Sequence, residues 1–454
     1  MAQADLVVED PPPETERILW DIMEEYVDEA EYAAEAFESA LDDPEYNLEE
    51  LGEGPEEKLL ACVDGLVVGG PVVATKLLVD ELERADPEEP SRTTAVVLAL
   101  LGLDRRDLVA PYFESESGPV RNAASRACGL STSPKVDPWL LDQIRVVDTP
   151  AGRGAILDAM ATRGLQVDSL PALLQSESAI EACAAARMAR HADPVTHGPA
   201  IASLLSHPDP DTRDAALIAA LQYGSEEAWA LCEHLSFDPA GPNPTAIALF
   251  AALGGPPQHE RLVEVLASDT LRAPALRALG FSGNVAVVDT LLGHLEAGSD
   301  EDASKLAAEA IALIAGLDLR DDAFVIEAEG GPAEEDDALP PLEDDLEDDL
   351  ALRPEDSLPV PDPEAIQHWW KDTGPGLDQN RRHIAGKPWS VAGVAGYLMR
   401  GALRDRHIVA TSLSIRTNGT AHVDTRAFSA RQRTQISAFT APSSGSLVRK
   451  YGQW

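Results

Sequence analysis

Small and apolar residues return at three- and four-residue steps along the middle of the chain, stop at a glycine or proline, and start again. One such stretch, Asp209-Pro210-Asp211-Thr212-Arg213-Asp214-Ala215-Ala216-Leu217-Ile218-Ala219-Ala220-Leu221-Gln222-Tyr223-Gly224, holds the whole pattern. Asp and Pro open a helix, Ala and Leu fall on one face, and Gly224 stops it where a left-handed cap is wanted. Aligning the small-residue helices on one position places Arg121, Arg153, Glu181, Arg213, Thr245, Arg272 and Lys305 in register, at a step close to 31 residues. Three positions on, the column reads Ala124, Ile156, Ala184, Ala216, Ala248, Ala275 and Ala308. Such columns let neighbouring helices approach closely, and their fixed period marks a repeat array rather than a single core.

A second, leucine-rich set lies between these helices: 139–147, 169–175, 199–205, 228–235, 260–267 and 285–295. Each repeat is therefore expected to be a helical hairpin, with looser pairs at 56–84 and 91–114 opening the array. Upstream, Ile18, Leu19, Ile22, Met23, Tyr26, Ala30, Ala33, Ala34 and Phe37 form the stripe of an amphipathic helix from Glu14 to Leu41. The expected organisation is a flexible lead (1–13), an acidic N-terminal helical cap (14–54), an all-α solenoid of hairpins (55–318), an acidic disordered linker (319–361) and a basic helical segment with an irregular tail (362–454). In that last part, helices are expected at 390–401 and 403–416.

Charge sharpens this division. The 454 residues carry 35 Lys and Arg against 79 Asp and Glu, a net charge of −44, which opposes binding to nucleic-acid phosphates. Residues 327–356 hold 14 acidic residues and one basic, too polar to fold alone. Beyond them the sign inverts, to +9 over Asp378–Trp454. That segment is expected either to meet an acidic partner or to fold back on the chain's own acidic parts. Cys62, Cys128, Cys183 and Cys232 form no C-x-x-C pair and read as reduced core residues. No apolar stretch reaches the ~20 residues needed to span a bilayer, and no basic-then-apolar leader opens the chain, so a cytoplasmic protein without membrane insertion is expected.

The Asp-Pro-Asp-Thr-Arg-Asp-Ala-Ala unit and its period resemble short HEAT-type repeats, the kind also found in phycocyanobilin lyases. The chain as a whole resembles a family of bacterial HEAT-like proteins often encoded near type VI secretion genes. The resemblance is carried by Ile18-Leu19-Trp20, Leu51 and Cys62-Val63-Asp64-Gly65-Leu66 at one end. At the other it is carried by Leu358-Pro359-Val360-Pro361-Asp362-Pro363, Trp369-Trp370, Arg381-Arg382 with Gly386, and Arg426-Ala427-Phe428-Ser429-Ala430-Arg431-Gln432. It implies a HEAT-like fold and a secretion component or cargo as partner, and no activity.

Catalytic chemistry is not legible. His259-Glu260 is a lone His-Glu pair, G-x-S-x-G is absent, and the glycine clusters lack the Gly-Lys-Ser/Thr of a phosphate loop. The expectation is a non-catalytic protein–protein adaptor without cofactor or metal, and the alternative is a lyase-like enzyme or small-molecule binder. A deep pocket with convergent polar groups would favour the alternative. Because aromatic and guanidinium groups dominate recognition surfaces, the candidate partner-binding residues are Trp369, Trp370, Arg381, Arg382, Trp389, Arg426, Arg431 and Arg433.

Overall fold

The computed structural model describes residues 18–295, 300–326, 355–440 and 451. The fold is all-α, with a single two-residue β-hairpin among the described residues. It divides into two compact units: residues 1–40 with 51–188, and residues 41–50 with 189–454.

In the first unit, α1 (Trp20–Ala40) buries Val27, Ala30, Ala33, Ala34 and Phe37 against α2 (Pro55–Val68) and α3 (Pro90–Gly102). Its first turn is less engaged than the sequence stripe implies: Leu19 is 66% and Ile22 36% exposed. The chain then continues through α4 (Gly118–Leu130), α5 (Val136–Gln143) and α6 (Pro150–Thr162), with α3 on α4 and α4 on α6. Close packing follows from residue size; a Cβ on Gly154 would sit 2.7 Å from the Ile180 side chain. Helix α7 (Ala179–Ala189) runs to the boundary between the units.

The second unit repeats the same hairpin logic. Helices α8 (Pro194–Leu204) and α9 (Pro210–Tyr223) pair, then α10 (Glu226–Ser236) and α11 (Pro244–Leu253), then α12 (Pro256–Glu264) and α13 (Asp269–Ser282). Helix α14 (Glu301–Ala315) packs on α13, with Gly280 so close to Ala310 that an added Cβ would lie 3.0 Å from its Cα.

The aligned columns explain these helices. Side chains at Ser117, Thr149, Asp209, Asn243 and Asp300 accept from backbone N–H groups of the first turn, ahead of α4, α6, α9, α11 and α14. Proline occupies the first positions of α4, α6, α9 and α11, where its missing donor costs nothing. The column Ala124, Ile156, Ala184, Ala216, Ala248, Ala275, Ala308 is buried throughout. Gly224 takes the expected left-handed cap, φ 86°. Helix α8 starts earlier than expected, at Pro194 behind an Asp193 cap, so Pro199 lies inside it.

Past α14 the expectations need correction. Residues flanking the acidic run are ordered: Val325 bridges Pro361, and the Asp362 N–H donates to the Phe324 carbonyl. Residues 327–354, the flexible lead and the end of the tail lie outside the described residues. Helix α15 (Pro363–Thr373) leads to the hairpin of β1 (His383–Ile384) and β2 (Lys387–Pro388), then to α16 (Val391–Arg400) and α17 (Leu403–Arg416), close to the expected bounds. The stretch after Thr417 is not irregular throughout, since α18 (Ser429–Thr440) forms there and packs on α16.

This C-terminal segment is built into the second unit. Helix α17 packs on α9 and α11, and β1 lies on α14. The last carbonyls of a helix lack internal donors, and here the segment supplies them. Ala385 and Gly386 N–H groups donate to Leu313 and Ile314 at the end of α14 (2.6 and 3.0 Å), and the His383 N–H donates to Gly283 (2.8 Å). Glycine is required at both caps. Gly283 and Gly316 have φ of 62° and 82°, and an added Cβ would lie 2.3 Å from the His383 oxygen or 2.8 Å from the Ala385 carbonyl.

Candidate functional site

The eight expected partner-binding residues do not form one recognition surface. Arg382 is the clear correction: it is 7% exposed and donates to the carbonyls of Ala252 (2.5 Å), Phe281 (2.8 Å) and Ser282 (2.7 Å). Arg416 shares the Ala252 carbonyl and adds Leu253, and both guanidiniums lie over the Trp389 ring, at 5.6 and 5.4 Å. Trp389 thus covers the two arginines that close the ends of α11 and α13. The Trp370 indole donates to Asp289 (3.0 Å), and Trp369 sits edge-on to Phe324. Arg426 pairs with Asp42, the half-buried Arg433 reaches the Leu48 carbonyl, and Arg431 is half-buried. Arg381 stays in solvent and pairs with Asp378, a pairing worth little. These residues mainly hold the segment in place, through helix-end carbonyls more than through acidic side chains.

The convergent polar groups lie elsewhere in the second unit. Helix α14 presents Glu309, the first turn of α17 presents Arg404 and Asp405, and α16 presents Tyr397. All four are at most 9% exposed. Arg404 Nε donates to Glu309 Oε1 at 2.6 Å, and Tyr397 Oη donates to Asp405 Oδ2 at 2.9 Å. The other carboxylate oxygen, Asp405 Oδ1, has no hydrogen-bond partner among the described residues. The turn Gly401-Ala402 that joins α16 to α17 is pinned by the Leu403 N–H on the Tyr46 carbonyl, 2.9 Å away.

Burial and mutual repulsion set the protonation of this cluster. Loss of water, then the nearby Asp405 charge, pushes the Glu309 carboxyl up to about 7, with Arg404 and Arg277 opposing. Burial raises Asp405 too, and the Tyr397 phenol rises through burial and the Asp405 charge. A carboxyl that titrates near neutrality beside a second one can exchange a proton under ordinary conditions.

This cluster opens onto a cavity of about 710 Å³. Its wall includes Glu309, Asp405 and Tyr397, the apolar Leu313, Leu317 and Ile384, and Arg320, Lys387 and Arg400 among its charged groups. Among the described residues no group of three or more His, Cys, Asp and Glu is placed to hold a metal, and no single helix is long and apolar enough to cross a membrane. His259 is fully buried; neutral, it donates from Nε2 to the Ala251 carbonyl and accepts from Asn284 on Nδ1. The four cysteines are free and buried, and burial pushes the Cys128 thiol up to about 12, far from reactive.

One signal in the sequence could have found the cluster. Four positions after the aligned column, the residues are Ser125, Leu157, Ala185, Leu217, Leu249, Leu276 and Glu309. Six are uncharged and all are buried, so Glu309 is a carboxylate at a core position of the repeat. Compared with known proteins, the chain matches no family model and no curated protein.

Proposed function

We propose that the chain is a non-catalytic cytoplasmic scaffold, an α-solenoid of HEAT-like hairpins, that holds a protein partner through the cavity of its second unit. The observation that carries this reading is the cavity itself: α14 and the consecutive α16 and α17, far apart in sequence, bring complementary polar side chains to its wall, where one carboxylate oxygen has no donor among the described residues. Buried unsatisfied groups are costly, so an unanswered one in a cavity wall marks a place for a ligand's donor. The resemblance at both ends of the chain makes a type VI secretion component or cargo the partner to try first.

Tagged full-length chain and its Ala312→Phe variant, which places a ring in the cavity from α14, test the reading by capture from native cytosol. A partner held by the first and lost by the second, at equal thermal stability, supports it. Equal capture by both rules the cavity out.

A second reading, a lyase-like enzyme or small-molecule binder, is favoured by one observation. The cavity volume falls in the ~300–1,000 Å³ range of small-ligand sites, and a carboxyl near neutrality can serve as acid or base. Retention of a metabolite by the purified chain, in place of a protein, favours it.

A further inference from the structure

We propose that the cavity recognises a cationic donor group, an ammonium or guanidinium, at Asp405. This rests on the reading that the cavity is the binding site, and adds the chemistry of what enters it.

The cluster's donors are already committed. Arg404 is engaged with Glu309, and the Tyr397 hydroxyl with Asp405 Oδ2. What remains free is acceptor capacity: Asp405 Oδ1, on a side chain 4% exposed, and the second lone pair of the Tyr397 oxygen. A ligand group that answers Asp405 must therefore bring N–H or O–H.

Charge selects among donors. The residues lining the cavity comprise five acidic (Glu45, Glu309, Asp318, Asp322, Asp405) and three basic (Arg320, Lys387, Arg400), a balance of −2. The chain's −44 adds a long-range field of the same sign. A cation gains from both, and one seated at Asp405 adds to the offset that Arg404 and Arg277 already give the two buried carboxyls. A neutral donor gains only the hydrogen bond. Charge-assisted bonds are roughly twice as strong as neutral ones, so the preference is for the cation.

Such a group could belong to a free small molecule or to a side chain of a partner protein, and the probes separate these. Calorimetry on the full-length chain would use agmatine, the capped peptide acetyl-Gly-Arg-Gly-amide, and the same peptide with citrulline, whose urea keeps the shape of the guanidinium without its charge. The expected result is binding of at least one guanidinium probe, with the citrulline peptide weaker by about tenfold or more. Agmatine alone binding assigns the site to a free cation; the arginine peptide binding assigns it to a protein side chain. Asp405→Asn is expected to lower guanidinium affinity by about tenfold. Should that variant misfold, Ala312→Phe provides the second test, since it should block the same probes. Equal binding of the citrulline peptide, or unchanged affinity in Asp405→Asn, overturns the proposal. If no guanidinium probe binds while Ala312→Phe still abolishes partner capture, the cation inference fails and the binding-site reading stands. If Ala312→Phe leaves capture intact, the reading beneath it fails.

Discussion

The two units solve one problem with different parts of the chain. Every repeat helix ends in carbonyls that need donors. In the first unit a following helix provides them: Arg163, just past α6, donates to Cys128 (2.9 Å) and Ser131 (2.6 Å) at the end of α4 and pairs with Asp137. The second unit begins the same way, with Gln222 and Tyr223 of α9 donating to Arg190 and Ala189. From α9 onward donors from far away join the local ones. Tyr451 reaches Leu221, Arg416 and Arg382 reach Ala252, Arg382 also takes Phe281 and Ser282, and the 385–386 backbone takes α14. A short-range device in the first unit has become a long-range one in the second. The C-terminal segment is thus part of the second unit's core, and the cavity forms where it meets α14.

Removing that segment should have the largest effect. A chain ending before Asp362 is expected to keep the first unit's melting transition and to lower the second's by more than about 10 °C in calorimetry, since several buried helix ends lose their donors together. Equal loss in both units would erase the distinction between them.

Single arginines should sharpen it. Arg382→Ala takes the guanidinium donors from the buried Phe281 and Ser282 carbonyls and leaves Ala252 with Arg416 alone, and is expected to cost about 3 kcal/mol, all in the second unit. The equivalent change in the first unit, Arg163→Ala, should cost about 2 kcal/mol and leave the second unit's transition unmoved. Denaturant melts followed by unit-specific proteolysis separate the two.

Mild acid offers a smaller contrast. All ten histidines lie in the second unit, and His259 is held neutral, burial and the Arg382 charge lowering it to about 3. The unfolded chain takes that proton near pH 6.5, while the folded chain refuses it until about pH 3. Stability is therefore present above 6.5 and lost as pH falls below it, by at most about 1.4 kcal/mol per unit. Glu309 works in the opposite sense between about 4.5 and 7, since its folded form holds a proton that the unfolded chain has released. His191, His407 and His422 are held neutral by burial in the same way, so His259→Asn should lessen the acid loss of the second unit without abolishing it; an unchanged slope would remove His259 from the account.

Much of the fold was legible because its signals are local. Asp209 with Pro210, Asn243 with Pro244 and the buried alanine columns mark helices wherever they stand, whatever lies far off in the chain. Arg382 was not legible, because a guanidinium beside tryptophans reads as a recognition surface until its acceptors, 100 to 130 residues away, are in place. The cluster in the cavity wall was half legible. Glu309 interrupts an otherwise uncharged column, whereas Tyr397 and Asp405 gain meaning only when the turn at Gly401 folds α16 against α17.

Hydrogen exchange on full-length Arg382→Ala tests the long-range capping most directly. The account predicts that amides at the end of α13, Gly280–Gly283, exchange faster by about tenfold or more, while those at the end of α4, Ala127–Leu130, keep wild-type protection. Unchanged exchange at Gly280–Gly283, or equal acceleration in both places, would contradict it.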